Sequence, residues 1–191
     1  MSNVDPKTLF DHGLKLSTAV VNSVDKSCFA NSTPCSEWNE RRLLNHMLYE
    51  LSWVPDMVAG RTIAEVGSKY DGDLLGDDHK SNWSAAAGKA MDAIKITDMS
   101  SQAHLSYGDQ PMDHYINEIA TDLIIHSWDA AQGRLCSLWF DPEVCQALYE
   151  TILPRADEIA QPGVFAPRVP VPDDAPTQVK LLAIYGRATP S

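Results

Sequence analysis

In the segment ATDLIIHSWDAA (120–131), Asp122 and His126 stand four residues apart. On a helix that spacing puts them one turn apart on one face, here beside the apolar stripe of Ile116, Ile119 and Leu123. A carboxylate oxygen and an imidazole nitrogen so placed can point at one cation. The alternative is a plain i,i+4 ion pair worth about 0.2–0.5 kcal/mol. Two ligands are too few for a tight metal site, which normally takes three or more from the protein. The segment RRLLNHMLYE (41–50) supplies a third, His46, on the flank of a leucine face. If the two helices pack, His46, Asp122 and His126 form a set of two imidazoles and one carboxylate that leaves coordination positions open for water or substrate. Zinc, nickel, iron and cobalt all suit such a set. A lone histidine on a helix flank is more often packed or solvated than ligating, and that reading stands beside the first.

Two further carboxylates lie close to this set in the sequence. Glu50 shares a stripe with His46, Trp53 and Met57; it reads as a base or fourth ligand behind the metal, or as a solvated group at a bundle rim. Asp129 follows Asp122 by seven residues on nearly the same stripe, where it can orient a ligand histidine or sit at the surface. Cys35 precedes a helix that begins only at Asn39, too far on for the helix N-terminus to activate a thiol, so it reads as a packed structural cysteine. Trp38 and Trp128 read as core anchors at helix ends. His12, His79, His104 and His114 fall in turns or near element ends and read as surface residues. Arg168 and Arg187 are the basic residues of the tail; either could pair with an anionic substrate if the tail folds over the bundle mouth, and otherwise both are surface charges. Neither a glycine-rich phosphate loop nor G-x-S-x-G occurs, so P-loop and α/β-hydrolase chemistry have no support.

The elements that must position these residues are mostly helices. Asp5-Pro6 opens the first as N-cap and N1 proline. The second runs from the cap Asn39 to about Ala59, with Pro55 weakening its last turn. Residues 60–80 carry glycines and aspartates without a sustained period and read as a long crossover. A shorter helix follows over 81–95, then a mixed stretch with an extended segment around 103–107. Pro111 opens the helix of Asp122 and His126, which ends at Gly133 as a C′ glycine. Asp141-Pro142 opens one more, reaching about Ala160 with Pro154 inside it. Residues 161–175 hold four prolines and read as a non-helical strap, followed by a short closing helix over 176–187. The expected fold is all-α: a four-helix bundle over 1–160 with the crossover between its second and third helices, and a strap and closing helix over 161–191 packed on the same domain.

Composition bounds the partners. The chain has 191 residues, 44% hydrophobic and 21% charged, with a net charge of −11. So acidic a chain is a poor binder of phosphate backbones or anionic membranes. No run approaches the roughly 18 apolar residues of a membrane span. The opening MSNVDPKTLF lacks the basic and apolar regions of a signal peptide, so a cytoplasmic location is expected. Four cysteines without a CxxC pair do not make a disulfide scaffold, and reduced thiols are expected.

Three segments resemble one family. TPCSEWNERRLLNHM (33–47) is similar to the PTPC-x2-W…LL-x-H opening motif of the mycothiol-dependent maleylpyruvate isomerase metal-binding domain, within the DinB-like superfamily of four-helix bundles. DLIIHSWDAAQG (122–133) resembles the D-x-x-x-H-G-W-D-L-A motif of its later helix, with Ser127 where glycine is usual. The tail over 162–187 resembles the C-terminal stretch of the single-domain branch. The resemblance implies His46, Asp122 and His126 as ligands of a divalent metal, zinc first, with nickel or iron next. It further implies a low-molecular-weight thiol such as mycothiol as cosubstrate, activated for transfer to a small electrophile or for isomerisation. The isomerase itself carries an extra C-terminal domain that this chain is too short to hold, so maleylpyruvate is not carried over. A non-catalytic metal-binding or stress-response module on the same bundle is the alternative.

Overall fold

The computed structural model describes residues 4–159 and 166–189. Internal contacts divide the chain into a body of residues 5–137 and a second unit made mainly of residues 138–191. Four long helices build the body: α1 Pro6–Ser23, α2 Glu40–Val58, α4 His79–Ile96 and α5 Met112–Gln132, with a single turn, α3 Ile63–Val66, between the second and third. Their starts follow from local chemistry. Asp5 accepts from the Thr8 N–H, Asn39 from Arg42 and Asp78 from Ser81, each satisfying an amide that the helix leaves unpaired. Thr62 and Glu65 form a reciprocal capping box on α3.

The long helices pack as a closed ring, α1 on α5, α5 on α2, α2 on α4 and α4 on α1. Phe10 and Val21, Leu43, Leu44, Met47 and Leu51, Trp83 and Ile94, and Ile116 and Leu123 fill the interior. Trp83 is wholly buried, and its indole N–H reaches the Thr18 hydroxyl at 2.9 Å. Gly13 lets α1 lie close against α5: a Cβ there would stand 2.9 Å from the Ala120 carbonyl.

The connection from α2 to α4 is tied back to α2. The Asn45 side-chain oxygen accepts from Leu74 and Leu75, and its amide donates to the Gly72 carbonyl at 3.0 Å. Asp56 receives Lys69 at 2.6 Å and Tyr70 at 2.8 Å. The body is not purely helical. The stretch expected to be extended around 103–107 folds into a hairpin, β1 Gln102–Leu105 and β2 Gly108–Pro111, with Ala103 opposite Gln110. Other local readings also change. His79 is not a surface residue: it is 4% exposed, with Nε2 3.2 Å from the Val24 carbonyl. Gly133 does not take a left-handed cap. It serves close approach, since a Cβ would lie 3.1 Å from the Ser32 carbonyl.

In the second unit, α6 Pro142–Ile152 packs on α8 Thr177–Ile184. Gln178 joins them to the chain entering α6, accepting from Phe140 N–H at 2.8 Å and donating to the Leu138 carbonyl at 2.8 Å. The single helix expected over 141–160 is interrupted. A 3-10 turn at Leu153–Arg155 contains Pro154, which has no N–H to continue the α ladder, and the one-turn α7 Ala156–Ile159 follows. Of the expected strap, residues 161–165 lie outside the described residues, and 166–175 form no helix or strand. Among the described residues no helix is long and apolar enough to cross a membrane.

Candidate metal centre

α2 and α5 lie side by side in the ring and bring His46, Asp122 and His126 together. One ligand atom from each lies within 4.8 Å of the others. His46 Nε2 is 3.5 Å, and His126 Nε2 3.3 Å, from the same carboxylate oxygen, Asp122 Oδ1. Both distances exceed the roughly 2.7–2.9 Å of a charge-assisted hydrogen bond. They match instead the spacing of about 3.3 Å between ligand atoms that each bond a tetrahedral zinc at about 2.0–2.1 Å. The other carboxylate oxygen, Asp122 Oδ2, is buried and has no hydrogen-bond partner. A carboxylate with one oxygen beside two imidazole nitrogens and the other buried without a donor fits a cation.

The orientation of His126 is set from behind. Its Nδ1 lies 2.8 Å from Asp129 Oδ2, and Asp129 is wholly buried. With Nδ1–H donated to Asp129, the lone pair of the neutral ring sits on Nε2, toward Asp122 and His46. Cys35 also donates its thiol to Asp129 Oδ2, at 3.2 Å, with its sulfur 3.8 Å from His126 Nδ1. Cys35, expected as a packed structural thiol, is half-buried and packs against the candidate site. Cys35, His126 and Asp129 form a second close group of ligand-type atoms. That group uses the nitrogen already hydrogen-bonded to Asp129, whereas both Nε2 atoms face Asp122, whose second oxygen has no partner, so the fit favours the first set.

Trp38 is likewise not a core anchor. Half-buried, its ring lies 4.6 Å from the His46 ring and 5.8 Å from that of His126. The two imidazoles meet edge to face at 5.1 Å. The loop that delivers Cys35 and Trp38 is braced by Thr33, whose hydroxyl donates to the Trp38 carbonyl at 2.8 Å, and by Asn31, which donates to the Gly133 carbonyl at 3.0 Å. At the same end, wholly buried Glu40 pairs with Arg134 at 3.1 Å, linking the start of α2 to the residues after α5.

Glu50 stands one turn beyond His46, with Oε1 3.9 Å from His46 Nδ1. Burial, then the charge of Asp122, push its carboxyl up to about 7, partly offset by the two histidines. For Asp122 burial works upward, but the charge of His126 and contacts with both imidazoles outweigh it and hold the carboxyl well down. For His126 burial works downward, and Asp122, Asp129 and Cys35 together hold the imidazole well above its usual range. Seven residues before Asp122, on the same stripe, Tyr115 is 5% exposed and its hydroxyl has no partner. A single phenol on a helix carries no motif of its own, so the sequence alone does not single Tyr115 out. Arg168 and Arg187 belong to the second unit; Arg168 is exposed, and Arg187 is buried, donating to the Tyr185 carbonyl at 2.7 Å.

Fold and cluster together define a mostly helical bundle protein with a two-histidine, one-carboxylate group between two of its helices. The crystal structure of a mutant mycothiol-dependent maleylpyruvate isomerase shares this fold, with a TM-score of 0.61 at 14% identity over 82% of this chain and 68% of that one. At that identity the likeness is one of fold. Two uncharacterized proteins of Mycobacterium tuberculosis, from strains CDC 1551 / Oshkosh and ATCC 25618 / H37Rv, are each 28% identical over 189 residues, 96% of this chain and 98% of theirs. No family model matches the chain.

Proposed function

We propose that His46, Asp122 and His126 hold a divalent metal, zinc first and nickel or iron next, and that the site activates a low-molecular-weight, mycothiol-like thiol for transfer to an electrophile or for isomerisation. The observation that carries this reading is Asp122: one carboxylate oxygen is shared between two imidazole Nε2 atoms and the other is buried without a partner. When bound, the metal would lower the pKa of a coordinated thiol and present a thiolate at neutral pH. The chain's own residues do the rest. Asp129 holds His126 in the tautomer that keeps Nε2 free of a proton. Glu50 Oε1, on a carboxyl that titrates near 7, takes up the proton that the thiol gives up and returns it to the product. Trp38 covers both histidine rings from one side and narrows solvent access to them.

The test is metal content by elemental analysis of untagged protein prepared without chelator, wild type beside His46→Ala and His126→Ala. Near-stoichiometric metal that disappears in both variants is expected, followed by thiol-dependent turnover on a panel of electrophiles. Wild-type protein that is empty and takes up neither added zinc nor added nickel would overturn the metal assignment. A loaded protein without thiol-dependent turnover would overturn the enzymatic half and leave a binding module.

A further inference from the structure

A cavity of about 370 Å³ opens beside His46, lined by Trp38, Arg42, Asn45, His46, Tyr49, Asp71 and Gly72. Two of its walls are aromatic, which suits the body of a small organic molecule. Of its polar groups, Asn45 is committed to the α2–α4 connection through both side-chain atoms. Arg42 is not committed in this way. Its guanidinium lies 5.9 Å over the Trp38 ring and makes one long contact, 3.4 Å, to the Glu37 carbonyl. Among the described residues no carboxylate pairs with it, although the chain carries 26 acidic against 15 basic side chains. Its neighbour Arg41 shows the contrast, paired with Asp73 at 2.6 Å. Arg42 also sits in the first turn of α2, where the helix dipole disfavours a cation. An exposed guanidinium left unpaired at the positive end of a helix and stacked on an indole is a preformed receptor for a carboxylate.

We infer that this cavity is a subsite for a small molecule bearing one carboxylate, received by Arg42, whose body crosses the Trp38 ring toward His46. The inference deepens the metal reading and rests on it for what happens at the His46 end. Asp71 lines the same cavity and repels a second anionic group, so a monocarboxylate is preferred over a dicarboxylate. The carboxylate belongs either to the thiol or to the electrophile it meets, and the experiment has an arm for each.

For the thiol, 6-mercaptohexanoate and 6-mercaptohexanol are titrated into the cobalt-loaded full chain at low salt, followed by thiolate-to-cobalt absorption. Wild type should bind the acid about two- to fivefold more tightly than the alcohol, the worth of one charge pair at an exposed site. Arg42→Gln should bring the acid down to the alcohol while leaving the alcohol unchanged, and Arg42→Lys should recover part of the difference. For the second substrate, hexanoate and hexanol are compared on the metal-free chain by ligand-observed NMR; the hexanoate signal should vanish in Arg42→Gln. This arm needs no metal, so failure of the metal reading and failure of the subsite are separable. Support in either arm sustains the subsite and says which reactant carries the carboxylate. No preference for the acid in either arm, or equal loss of acid and alcohol in Arg42→Gln, would overturn it.

Discussion

Asp129 offers a sharp test of how the proposed site is built, because it would act on a metal there through His126. It is wholly buried and accepts from His126 Nδ1 at 2.8 Å. Asp129→Ala removes a hydrogen bond to a charged group, worth about 1.5–3 kcal/mol. At about 1.4 kcal/mol per factor of ten, that is a loss of roughly ten- to a hundredfold in metal affinity, the range seen when such supporting carboxylates are removed. Metal should weaken without disappearing, unlike in His126→Ala. Asp129→Asn keeps an oxygen acceptor at the same place and should fall between wild type and Asp129→Ala. Zinc affinity is measured by competition with a colorimetric chelator, and circular dichroism of each metal-free variant checks the fold. An Asp129→Ala variant that folds and binds zinc within twofold of wild type would show that His126 is held by packing alone, and the proposed support would be wrong.

Other expectations follow from the same geometry. Gly13→Ala drives a methyl group to 2.9 Å from the Ala120 carbonyl; it should cost about 1–3 kcal/mol, read as a melting-temperature drop of roughly 2–4 °C per kcal/mol in a chain of this size. Asp56 has its carboxyl lowered from 3.8: burial raises it, and hydrogen bonds from Lys69 and Tyr70 with the charges of Lys69 and Arg61 outweigh that. Its contribution is therefore present above the unfolded value and fades as pH falls through the folded one, so Asp56→Asn should be less stable than wild type in urea at pH 7, with the gap narrowing toward pH 3. A constant gap would refute that linkage. Zinc at one hundred times its dissociation constant should stabilise the chain by about 2.7 kcal/mol, and chelator should reverse the rise in melting temperature; a melt indifferent to both would count against a site in the folded state.

The nearness of His46, Asp122 and His126, which lie on helices, is legible in the sequence, and the placement of Cys35 and Trp38, which lie on a loop, is not. Asp122 and His126 needed only the 3.6-residue period, and His46 needed only the further inference that two apolar stripes pack. Cys35 and Trp38 required the path of residues 29–39. That path is set by contacts no local rule contains: Glu40 N–H to the Asn31 carbonyl at 2.9 Å, Arg41 N–H to the Phe29 carbonyl at 3.1 Å, and Asn31 to Gly133 across 102 positions. A helix begun at 81 leaves His79 in a turn; Asp78 instead caps a helix that begins at His79, and the ring turns inward to Val24. The hairpin at 102–111 escaped because each strand is four residues long and neither keeps a clean alternation of buried and exposed positions.

The charge balance of the cluster is the strongest physical reason to place a cation there. Asp122, Asp129 and Glu50 bring three carboxylates to two imidazoles in surroundings that are buried or half-buried. With the histidines neutral the cluster would carry three negative charges, and removing that excess from water is costly. Two of its groups answer by favouring protons: burial and Asp122 raise Glu50, and the carboxylates around His126 hold its imidazole up against burial. Asp122 is held well down by the charge of His126 and its contacts with both imidazoles, and its second oxygen finds no donor. A purely structural cluster could have relieved the strain with one arginine, as Arg134 does for Glu40 a few residues away. Here Arg42, which pairs with no carboxylate among the described residues, lies over the Trp38 ring and lines the cavity instead. Among the described residues, the helices thus leave one buried carboxylate oxygen without a donor on the metal side and an arginine without a carboxylate on the cavity side, which is the arrangement expected of a site completed by a cation and an anionic ligand.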